Sequence, residues 1–534
     1  MSIAIAICRA QLGLEAPVVQ VEVSLGPGLP VFAIVGLPAT VVKESKDRVR
    51  AAIVNSNFKF PAGRITVNLS PADIPKRGGR FDLPIAVGIL LASGQLIRHS
   101  THGAHRIELY GELGLTGELK PVPGILLAAA HAAHDGHEVI LPQANTEEVR
   151  LLLTASANGT LRTGPVMRAA DHLLAVCAHL NATTPLPILS APPAHANRWV
   201  RDMMLDLSDV RGQVQAKRAL TIAAAGGHSL LMVGPPGAGK TMLAMRLPGL
   251  LPPMTEAESL EVATIASVSG PAFNAGDFGR RPVRIPHHTA SAVALIGGGS
   301  GARPGEISLA HHGVLFLDEL LEYDRRALEA LREPLESGVV CIARAARQTR
   351  YPAEFQLVAA MNPCPCGRLG DPRGTCACTP AEVARYRARV SAPLMERFDL
   401  HLEVPNVDLD DFDENRLPRE TSAATAARVT RARAIQLSRQ GKCNARLADA
   451  QVERVCALDS AGRLLLEQAM KQLGLSARSR QRVVKLARTI ADLAEEKNVS
   501  AAHIGEAITF RGLDRRPHVA GTQTDGAPAP TAKK

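Results

Sequence analysis

The period of apolar positions changes along the chain. Near the start, short runs at 18–23, 31–35 and 64–69 are rich in β-branched residues and read as strands. Apolar residues at helical spacing over 41–55, 83–92 and 125–134 predict helices between and after them. This mixture predicts an α+β unit over 1–178. Pro185, Pro187, Pro192 and Pro193, set among Thr, Ser, Ala and Asn, predict a linker over 179–200. From 201 to 404 the pattern becomes continuous: apolar runs at 230–233, 314–317 and 355–361 read as buried parallel strands. Helices are expected from 214 and over 325–337, and a β-hairpin over 339–344 and 348–355. Beyond 405 the spacing is helical at 423–439, 461–473, 479–495 and 501–511, which predicts a helical bundle to 515. The Gly/Ala/Pro/Thr-rich stretch 516–534 is expected to be disordered. The fold class is therefore α/β multidomain: an α+β unit, a parallel-sheet core and a helical C-terminal bundle.

Composition narrows this little. Of 534 residues, 46% are hydrophobic and 21% charged, which are globular values. Aromatics are 3%, so the cores are aliphatic and stacking platforms for bases are scarce. The net charge of +10 is compatible with a nucleic-acid partner without requiring one. No apolar run reaches membrane-spanning length, so no membrane partner and a cytoplasmic location are expected. Nine cysteines, an odd number, argue against a disulfide framework.

The candidate chemistry centres on 230–241. Gly234, Pro235, Pro236, Gly237, Ala238, Gly239, Lys240 and Thr241 fit the P-loop pattern G-x-x-x-x-G-K-[ST]. A strand precedes them and a helix follows. Glycines there turn backbone N–H groups toward phosphate oxygens, Lys240 reaches the β- and γ-phosphates, and Thr241 offers its hydroxyl to Mg²⁺. A second apolar strand ends in Asp318 and Glu319, suited to holding the Mg²⁺ shell and polarising a water. A third ends in Asn362, suited to orienting that water. ATP and Mg²⁺ are the implied cofactors.

Three further features carry candidate roles. Small residues and glycines over 284–300 read as a mobile loop, with His287 and His288 as loop histidines touching DNA. Arg344, Arg347 and Arg350 lie near the hairpin tip, where they suit a phosphate backbone. Cys364, Cys366, Cys376 and Cys378 form two C-x-C pairs in a Pro/Gly-rich loop over 362–379. A structural Zn²⁺ is the leading reading. Free thiols and a redox-sensitive pair stay open.

The motifs also carry resemblances. The stretches 73–88 and 111–124 resemble the surroundings of the catalytic serine and lysine in Lon-type proteases. Arg80 stands where the serine would be, and Leu126 and Leu127 near the lysine. A Ser–Lys dyad needs both groups, so the resemblance implies a non-proteolytic Lon-protease-like domain. The element Glu396-Arg-Phe-Asp-Leu400 resembles the magnesium-chelatase and MCM branch of AAA+ proteins. Chelatase resemblance is strongest over 205–515. The full order of motifs resembles the YifB/ComM family of magnesium-chelatase-like AAA+ ATPases. The resemblance implies Arg397 as an arginine finger reaching a neighbouring subunit, Arg478 as a second sensor of the γ-phosphate, and a helical lid over 405–515. It further implies a homo-hexameric DNA helicase that drives branch migration during natural transformation, with recombination proteins as partners. A chelatase-type motor or chaperone acting on a protein partner is the rival reading.

Overall fold

The strand pattern near the N-terminus builds a mixed sheet. In the computed structural model the described residues are 2–97, 106–157, 166–191, 205–270, 274–299, 301–344, 347–371, 373–406 and 420–512. They fall into two compact units, one of residues 1–204 with 253–356, the other of 205–252 with 357–534.

In the first unit seven strands lie in the order Val31–Val35, Arg64–Ser70, Val18–Gly26, Ser2–Arg9, Ile107–Leu109, Glu138–Pro142, Met167–Ala170. Val18–Gly26 runs antiparallel to both of its neighbours, and the other pairs are parallel. Helix Asp82–Ala92 covers this sheet. Its Leu83, Ile85, Ile89 and Leu90 are fully buried, each contributing about 1.5–3 kcal/mol. Arg80, just before it, is also buried and donates to Gln11 Oε1 (3.1 Å) and the Pro123 carbonyl. Burial lowers its pKa. Leu126 and Leu127 are core residues of helix Ile125–His134. These positions therefore hold a packed cation and two aliphatic side chains, not a hydroxyl and an amine. Part of the expected linker is pinned: Ile188 bridges Arg168, and the Leu189 N–H donates to the Met167 carbonyl at 2.8 Å. The remainder, 192–200, lies outside the described residues.

The same unit holds helix Glu256–Ser269, opened by a Thr255–Glu258 capping box, and the parallel strands Val283–Arg284 and Val314–Leu317. The described part of the expected mobile loop, 284–299, is instead built of short paired and helical pieces. Arg284 forms a two-bond ion pair with Glu306 (2.6 and 2.8 Å). Ser291 caps helix Ala292–Ile296, and Gly297–Gly298 pairs with Arg303–Pro304. The glycines serve close packing: a Cβ on Gly305 would lie 2.3 Å from the Gly297 nitrogen and 2.4 Å from the Leu295 carbonyl oxygen. The expected single helix over 325–337 is two, Arg325–Glu329 and Arg332–Ser337. Pro334 lacks the N–H that would bond the Ala330 carbonyl, so the continuous helix breaks one turn earlier, at Ala330 and Leu331. The hairpin forms as Val339–Arg344 against Arg347–Pro352.

In the second unit strand Leu230–Val233 lies between Gln356–Met361 and Leu400–Glu403, parallel to both. Helix Val214–Gly226 precedes the central strand. Its C-terminal carbonyls, those of Ala224 and Ala225, accept from Arg433 at 2.9 Å each, a cation at the negative end of a helix. Arg433 belongs to helix Ser422–Gln440, which opens a helical C-terminal region with Ser460–Leu473, Ala477–Leu493 and Ala501–Thr509. A short helix, Asp449–Val455, adds to the expected set. The 516–534 tail lies outside the described residues. Among the described residues no helix is long and apolar enough to cross a membrane.

Candidate functional site

The site is built on the ends of parallel strands. Strand Leu230–Val233 is fully apolar and buried, and the chain leaves it at Gly234. No side chain fits there: a Cβ on Gly234 would lie 2.2 Å from the Val404 carbonyl oxygen. The Gly234 N–H donates to the Met361 carbonyl at 3.3 Å, tying the loop to the next strand. Gly237 and Gly239 adopt φ of +80° and +87°. Pro236 and Gly237 are exposed, and a Cβ on Gly237 would meet nothing within 4 Å. Helix Lys240–Ala244 follows, with Thr241 exposed. Lys240 Nζ donates to the Gly234 carbonyl (2.7 Å), the Pro235 carbonyl (2.9 Å) and Asn362 Oδ1 (3.1 Å). An open backbone turn with an ammonium along its edge fits a polyphosphate. Asn362 follows strand Gln356–Met361, whose Met361 pairs with Val233, so register alone carries it beside the loop.

Asp318 and Glu319, in the first unit, leave the buried strand Val314–Leu317. The Glu319 N–H donates to Asp318 Oδ1 at 2.9 Å. Glu319 sits at φ +51° with an exposed side chain, a strained backbone position for a carboxylate residue. His288 Nδ1 lies 3.6 Å from Glu319 Oε2, and the His287 ring is 4.2 Å from that of His288. The buried Tyr323 donates to the Pro286 carbonyl at 2.5 Å, holding this segment in place. The histidines thus stand beside a carboxylate, which their loop-like context in the sequence did not suggest.

A second grouping precedes the same strand. Glu261 Oε2 meets His311 Nε2 (3.0 Å) and His312 Nε2 (2.9 Å). His311 Nδ1 accepts the Glu354 N–H at 3.0 Å. Its proton therefore sits on Nε2, pointed at the carboxylate, which makes the group a hydrogen-bonded brace and leaves His311 no lone pair for a metal. The adjacent His311-His312-Gly313 before an apolar strand was the available sequence signal.

The arginines separate. Arg397 is 9% exposed, and its Nη1 donates to the Pro393 carbonyl at 2.6 Å. Arg478 is well exposed, 3.7 Å from Glu396. Arg482 pairs with buried Asp399, which also accepts from His228 Nδ1 (3.3 Å) and the Ser229 N–H (3.2 Å). Burial opposes ionisation of Asp399, but Arg482 and His228 hold its pKa well below the carboxylate range. Arg350 is exposed on the hairpin; the side chains of Arg344 and Arg347 lie outside the described residues.

The four loop cysteines converge. Cys364 Sγ is 3.4 Å from Cys366 Sγ and 3.6 Å from Cys376 Sγ, with Cys366 and Cys376 3.6 Å apart. Cys378 completes the cluster, all four sulfurs lying within 4.8 Å of one another. The Arg368 backbone N–H, with Cys364 and Cys378, holds the Cys366 thiol down at about 6.

Comparison with known proteins agrees with this architecture. The family model "Magnesium chelatase, subunit ChlI" matches residues 206–412, and its C-terminal counterpart matches 419–511. A model described as "Subunit ChlI of Mg-chelatase" matches 21–145, so chelatase likeness extends into the N-terminal region, beyond the 205–515 expected from motifs. The "Uncharacterized protein YifB" of Escherichia coli is 46% identical over 96% of this chain and 98% of its own length. The "Competence protein ComM" of Haemophilus influenzae is likewise 46% identical over 96% of this chain and 98% of its own. An uncharacterized Mycobacterium bovis protein is 38% identical over 97% of this chain and 100% of its own. Family membership points to ATPase activity with ATP and Mg²⁺, and to oligomeric assembly as is usual for AAA+ proteins. On a matched core, C-terminal region and N-terminal region, with near-full-length relatives, the chain belongs to the YifB/ComM family of magnesium-chelatase-like AAA+ proteins.

Proposed function

We propose that this chain is an ATP-driven DNA helicase, working as a homo-hexamer that promotes branch migration of heteroduplex DNA during transformation or recombination, alongside recombination proteins. The observation that carries the reading is the 46% identity along nearly the whole chain to a protein named for competence. The bond from Lys240 to Asn362 supports the nucleotide part. In this reading residues 1–178 are a non-proteolytic Lon-protease-like domain joined by a 179–200 linker to an AAA+ core over 201–404. A lid spans 405–515, and the location is cytoplasmic.

Gly234 to Thr241 wrap the phosphates, and Lys240 exchanges its loop carbonyls for phosphate oxygens. Thr241 and Asp318 are the ligands offered to Mg²⁺, which when bound neutralises phosphate charge. Glu319 takes the proton of the attacking water, and Asn362 orients that water. Arg397 supplies charge to a neighbouring subunit's site once it leaves the Pro393 carbonyl. Arg478, already exposed, contacts the γ-phosphate from the lid. His287, His288, Arg344, Arg347 and Arg350 are the proposed DNA contacts, and the four loop cysteines hold a structural Zn²⁺.

The test is ATP-dependent strand exchange on a four-way DNA junction. The wild type should move the branch point and separate the junction into duplexes, and Lys240→Ala should lose ATP turnover by on the order of a hundredfold and strand exchange with it. Arg397→Ala should lower turnover without changing nucleotide affinity. Wild type that hydrolyses ATP but leaves the junction intact, with no stimulation by DNA, would favour the chelatase-type motor with a protein partner. The ChlI match at 21–145 is what keeps that second reading in view.

A further inference from the structure

The cysteine loop is not a separate appendage. It begins at the residue that touches Lys240, since Asn362 is followed directly by Pro363 and Cys364. Its root is held by Arg387, which donates to the Pro363 carbonyl at 3.2 Å, and its far side by Asn406, which donates to Asp371 at 2.9 Å. Gly367, one residue past Cys366, lies flat against the phosphate-binding loop. A Cβ on Gly367 would come 2.5 Å from Pro236 Cδ and 2.8 Å from Pro236 Cγ. Its φ of +75° further restricts the position to glycine.

The sulfur geometry fits one ion. Tetrahedral ligands at the Zn–S length of about 2.3 Å stand about 3.8 Å apart. The sulfur–sulfur separations of 3.4 and 3.6 Å are close to that edge and far from the roughly 2.05 Å of a disulfide. All four cysteines are free. The Leu369 N–H donates to Cys364 Sγ at 3.3 Å, the outer-shell bond that orients a thiolate ligand. Four sulfur ligands close the coordination shell, so the ion is structural.

We infer that Cys364, Cys366, Cys376 and Cys378 bind one soft divalent cation, Zn²⁺ by ligand chemistry, and that the metal-bound loop is the backstop of the phosphate-binding loop. Gly367 pressed on Pro236 sets the shape of 234–241, and the loop root fixes Asn362 beside Lys240. Occupancy of the cysteine site therefore sets nucleotide affinity. This rests on the reading of 234–241 as the ATP site.

The test uses the full chain. Metal content is measured by plasma mass spectrometry, and affinity for a fluorescent ATP analogue by titration with Mg²⁺ present. Wild type should carry about one zinc per chain. The double variant Cys366→Ser with Cys378→Ser should lose the zinc and bind nucleotide at least tenfold more weakly. Gly367→Ala leaves every cysteine in place, so it should keep the zinc yet show the same weakening. Gly370→Ala, at φ +80° but with nothing within 4 Å of the added Cβ, should keep both. Should the cysteine variant fail to fold, Gly367→Ala against Gly370→Ala decides. Wild type without zinc overturns the metal site. Zinc lost, or Gly367 substituted, with unchanged nucleotide affinity overturns the backstop. Zinc present in a wild type that binds no nucleotide overturns the ATP reading, and the coupling with it, while the metal site stands.

Discussion

Asp399 shows how single residues hold the second unit together. It stands at the entry to strand Leu400–Glu403 and gathers Arg482, His228 and the Ser229 N–H. His228 continues to Thr489 at 2.8 Å, so one carboxylate links the start of the central strand to the C-terminal helix Ala477–Leu493. Removing one partner of such a pair strands the other charge. Asp399→Asn should cost about 3 kcal/mol in denaturant unfolding. The sign of its pH dependence follows from a pKa depressed in the fold. The contribution is present above the unfolded carboxylate value and is lost only as pH falls through the much lower folded value, so the wild-type advantage over Asp399→Asn should persist at mildly acidic pH. In the sequence the cation nearest Asp399 is Arg397, two residues before it. The structure instead gives it Arg482, because helix Ala477–Leu493 lies where Arg482 reaches it and Arg397 turns to its own helical turn.

At the scale of elements, composition misled where glycine serves packing. The stretch 284–300 looked like a loop because small residues dominate, yet Gly297 and Gly305 let two backbone segments approach within the reach of a Cβ. Gly305→Ala should destabilise by about 3 kcal/mol, the upper range for overpacking, because the atoms it would strike are backbone. A lowered thermal midpoint would register it, and an unchanged one would refute the close-packing account. The hairpin shows the opposite case. Alternation puts Tyr351 inward, donating to the Ala302 carbonyl at 2.8 Å, and Arg350 outward. The regular helices and strands were legible because amphipathic periodicity is local.

For the whole molecule, the net charge of +10 matters through salt. If the exposed arginines meet phosphate, log affinity for DNA should fall linearly with log salt, and Arg350→Ala should reduce the slope by about one while weakening all sequences alike. A slope unchanged by the substitution would remove Arg350 from the contact set. Charge alone would fit many basic proteins, so the salt slope is what tests the proposed DNA partner.

The sequence by itself determined the glycine-rich turn between a buried strand and a helix, the acidic strand end, the pairing of cysteines and the helical C-terminal region. Each depends on residues a few positions apart, so a linear pattern carries it. Only the tertiary structure decided which of these parts meet. Lys240 and Asn362 lie 122 positions apart and touch because two parallel strands share a register. Parallel neighbours are joined by long crossovers, so nothing local in the chain announces which strands adjoin. Gly367 against Pro236 and His288 beside Glu319 arise in the same way, as contacts set by strand order and helix packing that no local spacing records.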